Sequence, residues 1–326
     1  MRLILLYFCV VWFVSRAHSA EAQAAVTADV IVLSGVVGEE ALRENFSGST
    51  EKWEETARKG GARTLVIPAQ VDEKPDAVPA ESQLDRFHRA LAAQQHDGLT
   101  PLWLILIGHG TFDGKDAKFN LAGPDLSASQ LASDFREFTR PVVVVHCASA
   151  SGAFLTALSA TNRVVVTATK SGYEQNYARF GTAVAAAIND LDSDLDHDGQ
   201  VSLLEAFLSA TYRVSEFYKS DGRMLTEHAL IDDNGDGKGT PAEWFRGIRP
   251  VKKAVDGTTL DGLRAHQIHL AANARDRALT PETRQKRDAL EWEVFQIRDK
   301  KTELGDKAYY EQLEKLLLEL GSVYPP

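Results

Sequence analysis

The chain has 326 residues, 44% of them hydrophobic and 25% charged, with 23 Gly and 11 Pro. That make-up belongs to a globular protein with a full core and excludes collagen, low-complexity disorder and a polytopic membrane protein. The formal net charge of -10 argues against nucleic acid as a partner, because binding phosphates needs a basic surface.

Arg2 is followed by an apolar run from Leu3 to Val14, then by Ser15, Arg16, Ala17, His18, Ser19 and Ala20. This is the layout of a secretory signal peptide over residues 1–19, with Ala17 and Ser19 suited to the cut. The run is short for a membrane span, although an uncleaved anchor is the alternative reading. The expectation is export, periplasmic or extracellular, with no integral membrane span after cleavage. Cys9 leaves with the signal, so Cys147 remains as a lone thiol, either reactive or a small buried hydrophobe.

Residues 28–36 read as a buried strand. A helical stretch runs from Glu39 to Lys59 and stops at Gly60-Gly61. Thr64–Pro68 reads as a strand, Val71–Pro79 as a loop, Ser82–Gln94 as a helix and Leu102–Ile107 as a strand. Further strands fall at Pro141–Val145 and Arg163–Thr167, with helices at Ala153–Ala160, Ala178–Asn189 and Ser202–Tyr218. Several of the strands are continuous apolar runs, the mark of a parallel sheet covered on both faces, and the alternating order predicts an α/β sandwich with right-handed crossovers. This domain spans 27–250. Residues 251–326 hold 13 Lys+Arg and 13 Asp+Glu, so the acidity lies upstream. They carry a helix start at Thr280-Pro281-Glu282 and apolar residues at helical spacing on both sides of Gly305, and so read as a helical hairpin tail. The tail packs on the domain or on itself, or serves as a dimerisation arm.

Asp194-Leu195-Asp196-His197-Asp198-Gly199-Gln200-Val201-Ser202-Leu203-Leu204-Glu205 fits the twelve-residue EF-hand loop. Asp194, Asp196 and Asp198 stand at positions 1, 3 and 5, and Gly199 takes the sharp turn at position 6. Gln200 offers a backbone carbonyl, Ser202 acts through water, and Glu205 closes as a bidentate ligand. The ion expected is calcium, a hard cation that takes six to eight oxygens. A second match runs from Asp232 to Glu243. Its ligands would be Asp232, Asn234, Asp236, the Lys238 carbonyl, Thr240 and Glu243, but it has Gly239 at position 8 and only a short segment for an entering helix. Its alternative is a Gly-rich structural loop.

Gly108-His109-Gly110 follows the third strand, and His146-Cys147-Ala148-Ser149 follows the fourth. Chemistry collects at the carboxyl ends of parallel strands. His109 could act as acid/base, Cys147 as nucleophile, and the Gly110 N–H as oxyanion donor. A structural role for both side chains stands beside this reading.

This pattern resembles the legumain-like peptidases of the caspase clan over Leu102–Ile188, and more loosely from Asp29. The likeness extends to Ser34-Gly35-Val36-Val37-Gly38. It also takes in Thr167–Tyr173, which resembles the loop lining the pocket for the residue before the cut bond. It implies a caspase-like three-layer sandwich, here with an EF-hand insertion. Family members carry Glu-Ala-Cys-Glu-Ser-Gly. The ungapped match puts Ser149 at the nucleophile position and Cys147 two residues early. A cysteine peptidase using Cys147, a serine variant using Ser149 and an inactive caspase-like domain therefore stand side by side. Two functions follow. One is an exported calcium-dependent cysteine endopeptidase acting on peptides or proteins, its calcium ordering helices beside the Lys170–Glu174 loop. The other is a non-catalytic calcium-binding scaffold that meets a protein partner through its helical tail.

Overall fold

The computed structural model describes residues 26–69, 81–252 and 260–324. The signal-peptide expectation for 1–19 and the loop expected at 71–79 lie outside the described residues.

Seven strands form the central sheet: β1 (Asp29–Ser34), β2 (Arg63–Ile67), β3 (Leu102–Ile107), β4 (Val142–His146), β5 (Arg163–Thr167), β6 (Leu230–Asp232) and β7 (Thr240–Pro241). They lie in the order β7-β6-β5-β4-β3-β1-β2. The first five are parallel, and β6 and β7 add an antiparallel edge. The apolar runs LWLILI and VVVV are buried along their whole length because both faces of the sheet are covered.

The helices of the domain are α1 (Arg43–Gly60), α2 (Gln83–Ala92), α3 (Ala128–Asp134), α4 (Gly152–Leu158), α5 (Phe180–Ala187) and α6 (Leu203–Ser220). Side chains of a strand alternate between faces, so each strand feeds two cores. One core joins Val143, Val145 and Cys147 to α1, α5 and α6. The other joins Val142, Val144 and Ala148 to α2, α3 and α4. The result is the three-layer α/β sandwich with a mostly parallel sheet that the alternating elements predict.

Helix α1 ends where Gly61 takes the left-handed conformation, and the close approach of Gly60 to the Leu270 carbonyl leaves no room for a Cβ. Beyond the domain come α7 (Leu263–His266), α8 (Ala274–Arg277), α9 (Pro281–Asp299) and α10 (Lys301–Val323). Thr280 caps α9 and Gly305 kinks α10, giving the expected hairpin. Leu290, Val294, Ile297 and Tyr309 are its buried apolar side chains. Among the described residues no helix is long and apolar enough to cross a membrane.

Candidate functional site

The carboxyl ends of β3 and β4 hold the expected catalytic group, and among the described residues no hydrogen bond joins His109 to Cys147. The half-buried His109 ring packs beside Phe46 and Tyr177 at centroid distances of 5.3 and 6.2 Å. Its Nε2 lies 2.9 Å from the Val37 carbonyl. The thiol of Cys147 lies in the apolar layer under α5, where the residue is 4% exposed. Its one polar contact among the described residues is a long one, Sγ to the Val145 carbonyl at 3.8 Å. A Cβ on Gly181 would lie 2.7 Å from the Cys147 Cβ, so α5 sits directly on this side chain. Burial pushes the thiol up to about 12, the reverse of what a nucleophilic thiolate needs.

Ser149 and Gly110 are likewise engaged with each other. The Gly110 N–H donates to Ser149 Oγ at 3.1 Å, and the Ser149 hydroxyl donates to the Gly110 carbonyl at 3.0 Å. The amide expected to serve an oxyanion is therefore spent, and the alternative nucleophile is buried. Gly110 is required here for a packing reason, since a Cβ would stand 2.2 Å from the Ser149 carbonyl oxygen. His146, which the sequence reading passed over, is fully enclosed by Phe119 and Phe154, and burial lowers it to about 3. Glu174 closes the Lys170–Glu174 loop: it accepts from the Lys170 amide and, outside the loop, meets His228 Nδ1 at 2.5 Å.

The first acidic loop lies between the 3₁₀ turn Leu191–Ser193 and α6. Ligand-type oxygens of Asp194, Asp196 and Asp198 lie within 4.8 Å of one another. His197 and Gly199 take positive φ of 62° and 87°, which folds the loop around those carboxylates. Asp194 accepts from the Gly199 amide at 2.9 Å, and Asp198 from the Gln200 amide at 3.0 Å. At the base of the loop sits Glu205, fully buried. One of its oxygens accepts from the amides of Leu195 and Asp196, and the other from the amide and hydroxyl of Ser202. Ser202 is also the N-cap of α6 in a capping box with Glu205, so one pair of residues starts the helix and closes the loop. Val201 pins the loop into the core. Burial, with Glu205 and Asp198 beside it, raises Asp196. Crowded carboxylates with oxygen-only donors suit a hard divalent cation, which would discharge that repulsion. Such an ion would take Asp194, Asp196, Asp198, the Gln200 carbonyl, a water held by Ser202, and Glu205.

The second loop repeats this backbone. Gly235 and Gly237 at positions 4 and 6 have φ of 79° and 74°, matching His197 and Gly199. Asp232 accepts from the Gly237 amide at 3.0 Å, as Asp194 does from Gly199. Asn234 accepts from the Asp236 amide and Asp236 from the Lys238 amide, both at 2.8 Å.

Its flanks differ from the helices of an EF-hand, because β6 enters and β7 leaves. Glu243 falls in the 3₁₀ turn Ala242–Trp244 that follows β7, and not on a leaving α-helix. It is exposed and lines a small cavity with Glu227 and His228 instead. Among the described residues, Glu243 makes no hydrogen bond or ion pair with this loop.

Asp261 stands in its place. One oxygen of Asp261 accepts from the amides of Asp233 and Asn234 at 2.8 and 3.2 Å, and the other from the Thr240 hydroxyl at 2.6 Å. Those are loop positions 2, 3 and 9, the same three that Glu205 holds in the first loop. Burial first, then the neighbouring Asp233, pushes Asp261 up to about 8. No spacing rule reaches Asp261, which arrives from the start of the C-terminal segment.

No protein-family model matches the chain, and no curated protein does. Solved structures similar to it include two insect caspases. The Drosophila initiator caspase Dronc matches at 10% identity and a TM-score of 0.45, covering 73% of this chain and 95% of that one. Caspase-1 from Spodoptera frugiperda matches at 11% identity and a TM-score of 0.41, covering 64% and 86%. Likenesses this loose carry nothing about chemistry, which rests on the site itself.

Proposed function

We propose that this chain is an exported calcium-binding scaffold built on a caspase-like α/β sandwich, without peptidase chemistry at His109 and Cys147. It meets a protein partner through its helical tail. The observation that carries the reading is the buried Glu205, held at the base of the Asp194–Asp196–Asp198 cluster in the closing position of a calcium loop. The repeat of that arrangement by Asp261 supports a second ion. Against the endopeptidase reading stand the enclosed Cys147 thiol and the mutual hold of Ser149 and Gly110. Export rests on the composition of residues 1–19 and the partner on the leucine-bearing hairpin.

Calorimetric titration of the chelator-treated full chain with calcium tests the reading. Saturable binding of two ions is expected. Asp194→Asn and Glu205→Gln should each weaken the first site by at least about tenfold, equivalent to about 1.4 kcal/mol. Absence of binding heat, together with an unchanged melting temperature in millimolar calcium, overturns it, because a ligand held only by the folded state must raise that temperature.

A further inference from the structure

Residues 261–276 form a bridge between the sandwich and the C-terminal hairpin, and this bridge touches both acidic loops. On the first loop, the Asn273 side-chain amide donates to the Asp198 carbonyl at 3.2 Å. The Asn273 backbone N–H donates to Gln200 Oε1 at 2.9 Å. Gln200 Nε2 in turn donates to Asp198 Oδ2 at 2.9 Å and to Asp276 Oδ2 at 3.2 Å. His266 Nε2 lies 3.5 Å from Asp196 Oδ2, and the Leu203 amide, just past Ser202, donates to the Ile268 carbonyl at 2.8 Å. On the second loop, Asp261 supplies the closing carboxylate. Asp233 accepts from the amides of Gly262 and Ala265 at 3.0 and 2.8 Å, fixing the start of α7. Asp276 then pairs with the buried Arg287 of α9, which carries the connection into the hairpin.

The bridge is thus bonded to the residues that would hold the ions. Asp198 and Gln200 present the tail with a carbonyl and a side-chain amide whose positions depend on how the carboxylates of the loop are arranged. Three clustered carboxylates repel when no cation is bound and converge when one is. We infer that calcium occupancy and docking of residues 261–324 stabilise each other, so that the C-terminal hairpin is a calcium-linked clasp. This rests on the calcium reading above. Linkage is reciprocal: if the ion tightens the clasp, the docked clasp must tighten the ion by the same factor.

The test is hydrogen–deuterium exchange on the full chain in millimolar calcium and in chelator, with calcium titration of the wild type and of Asn273→Ala. In calcium, exchange across residues 261–299 should slow by more than it does in the parallel strands β1–β5. Asn273→Ala should bind calcium about fivefold more weakly or worse, the lower end of ordinary coupling between sites. Wild-type affinity in that variant, or equal protection of bridge and strands, overturns the clasp while calcium binding stands. A wild-type chain that takes up no calcium overturns the calcium reading, and the clasp with it, in the same titration.

Discussion

Alkylation of Cys147 separates a primed nucleophile from a buried hydrophobe. The reactive species is the thiolate, and burial pushes this thiol up to about 12. An ordinary cysteine, near 8.5, is about one-quarter ionised at pH 8. At the same pH, a thiol at about 12 is ionised in only about one molecule in ten thousand. The thiolate population therefore falls by roughly three orders of magnitude, before the closed packing of α5 over the side chain slows the reagent further. Iodoacetamide labelling followed by intact-mass measurement, on native protein and in denaturant, reads this directly. Native labelling at least about a thousandfold slower than unfolded labelling is expected, with no change in His109→Ala, because the His109 ring is engaged with Val37. Native labelling within about tenfold of the unfolded rate, slowed by His109→Ala, would refute the reasoning and revive the peptidase dyad.

Two further outcomes are expected. Asp261→Asn should abolish or strongly weaken binding of the second calcium ion while Glu243→Gln leaves it unchanged, as read by calorimetric stoichiometry; the opposite pattern restores Glu243 as the closing ligand. His146 stays neutral in the fold down to about 3, well below the ordinary imidazole value of about 6.5, because it is fully buried. Below pH 6.5 the unfolded chain takes up a proton that the native state refuses, so stability is complete above that pH and is lost as pH falls toward 3. Denaturation of chelated protein at several pH values should show a slope shallower by up to about 1.4 kcal/mol per pH unit in His146→Leu. Identical acid slopes in the two proteins would remove His146 from the account.

The inner parallel strands were legible in the amino-acid order because their centres are short apolar runs rich in Val, Ile and Leu, as strands covered on both faces require. The first acidic loop was legible for a similar reason. Its donors lie within twelve consecutive residues, and local backbone geometry brings such neighbours together without help from the rest of the chain. The tail hairpin showed itself through Pro281, Gly305 and apolar residues at helical spacing.

The strand ends were not legible in this way. Whether the Cys147 thiol is accessible depends on where α5 descends, and the bare α-carbon of Gly181 lets that helix pack directly against the Cys147 side chain. The Ser149–Gly110 contact joins residues 39 apart, and the clamp of Asp261 on Asp233 joins residues 28 apart. Side-chain direction alternates with every residue of a strand, and contacts across such separations are set by how layers stack. The sequence by itself therefore determined the elements and the contiguous loop, while only tertiary packing decided which thiol is enclosed and which carboxylate closes the second loop.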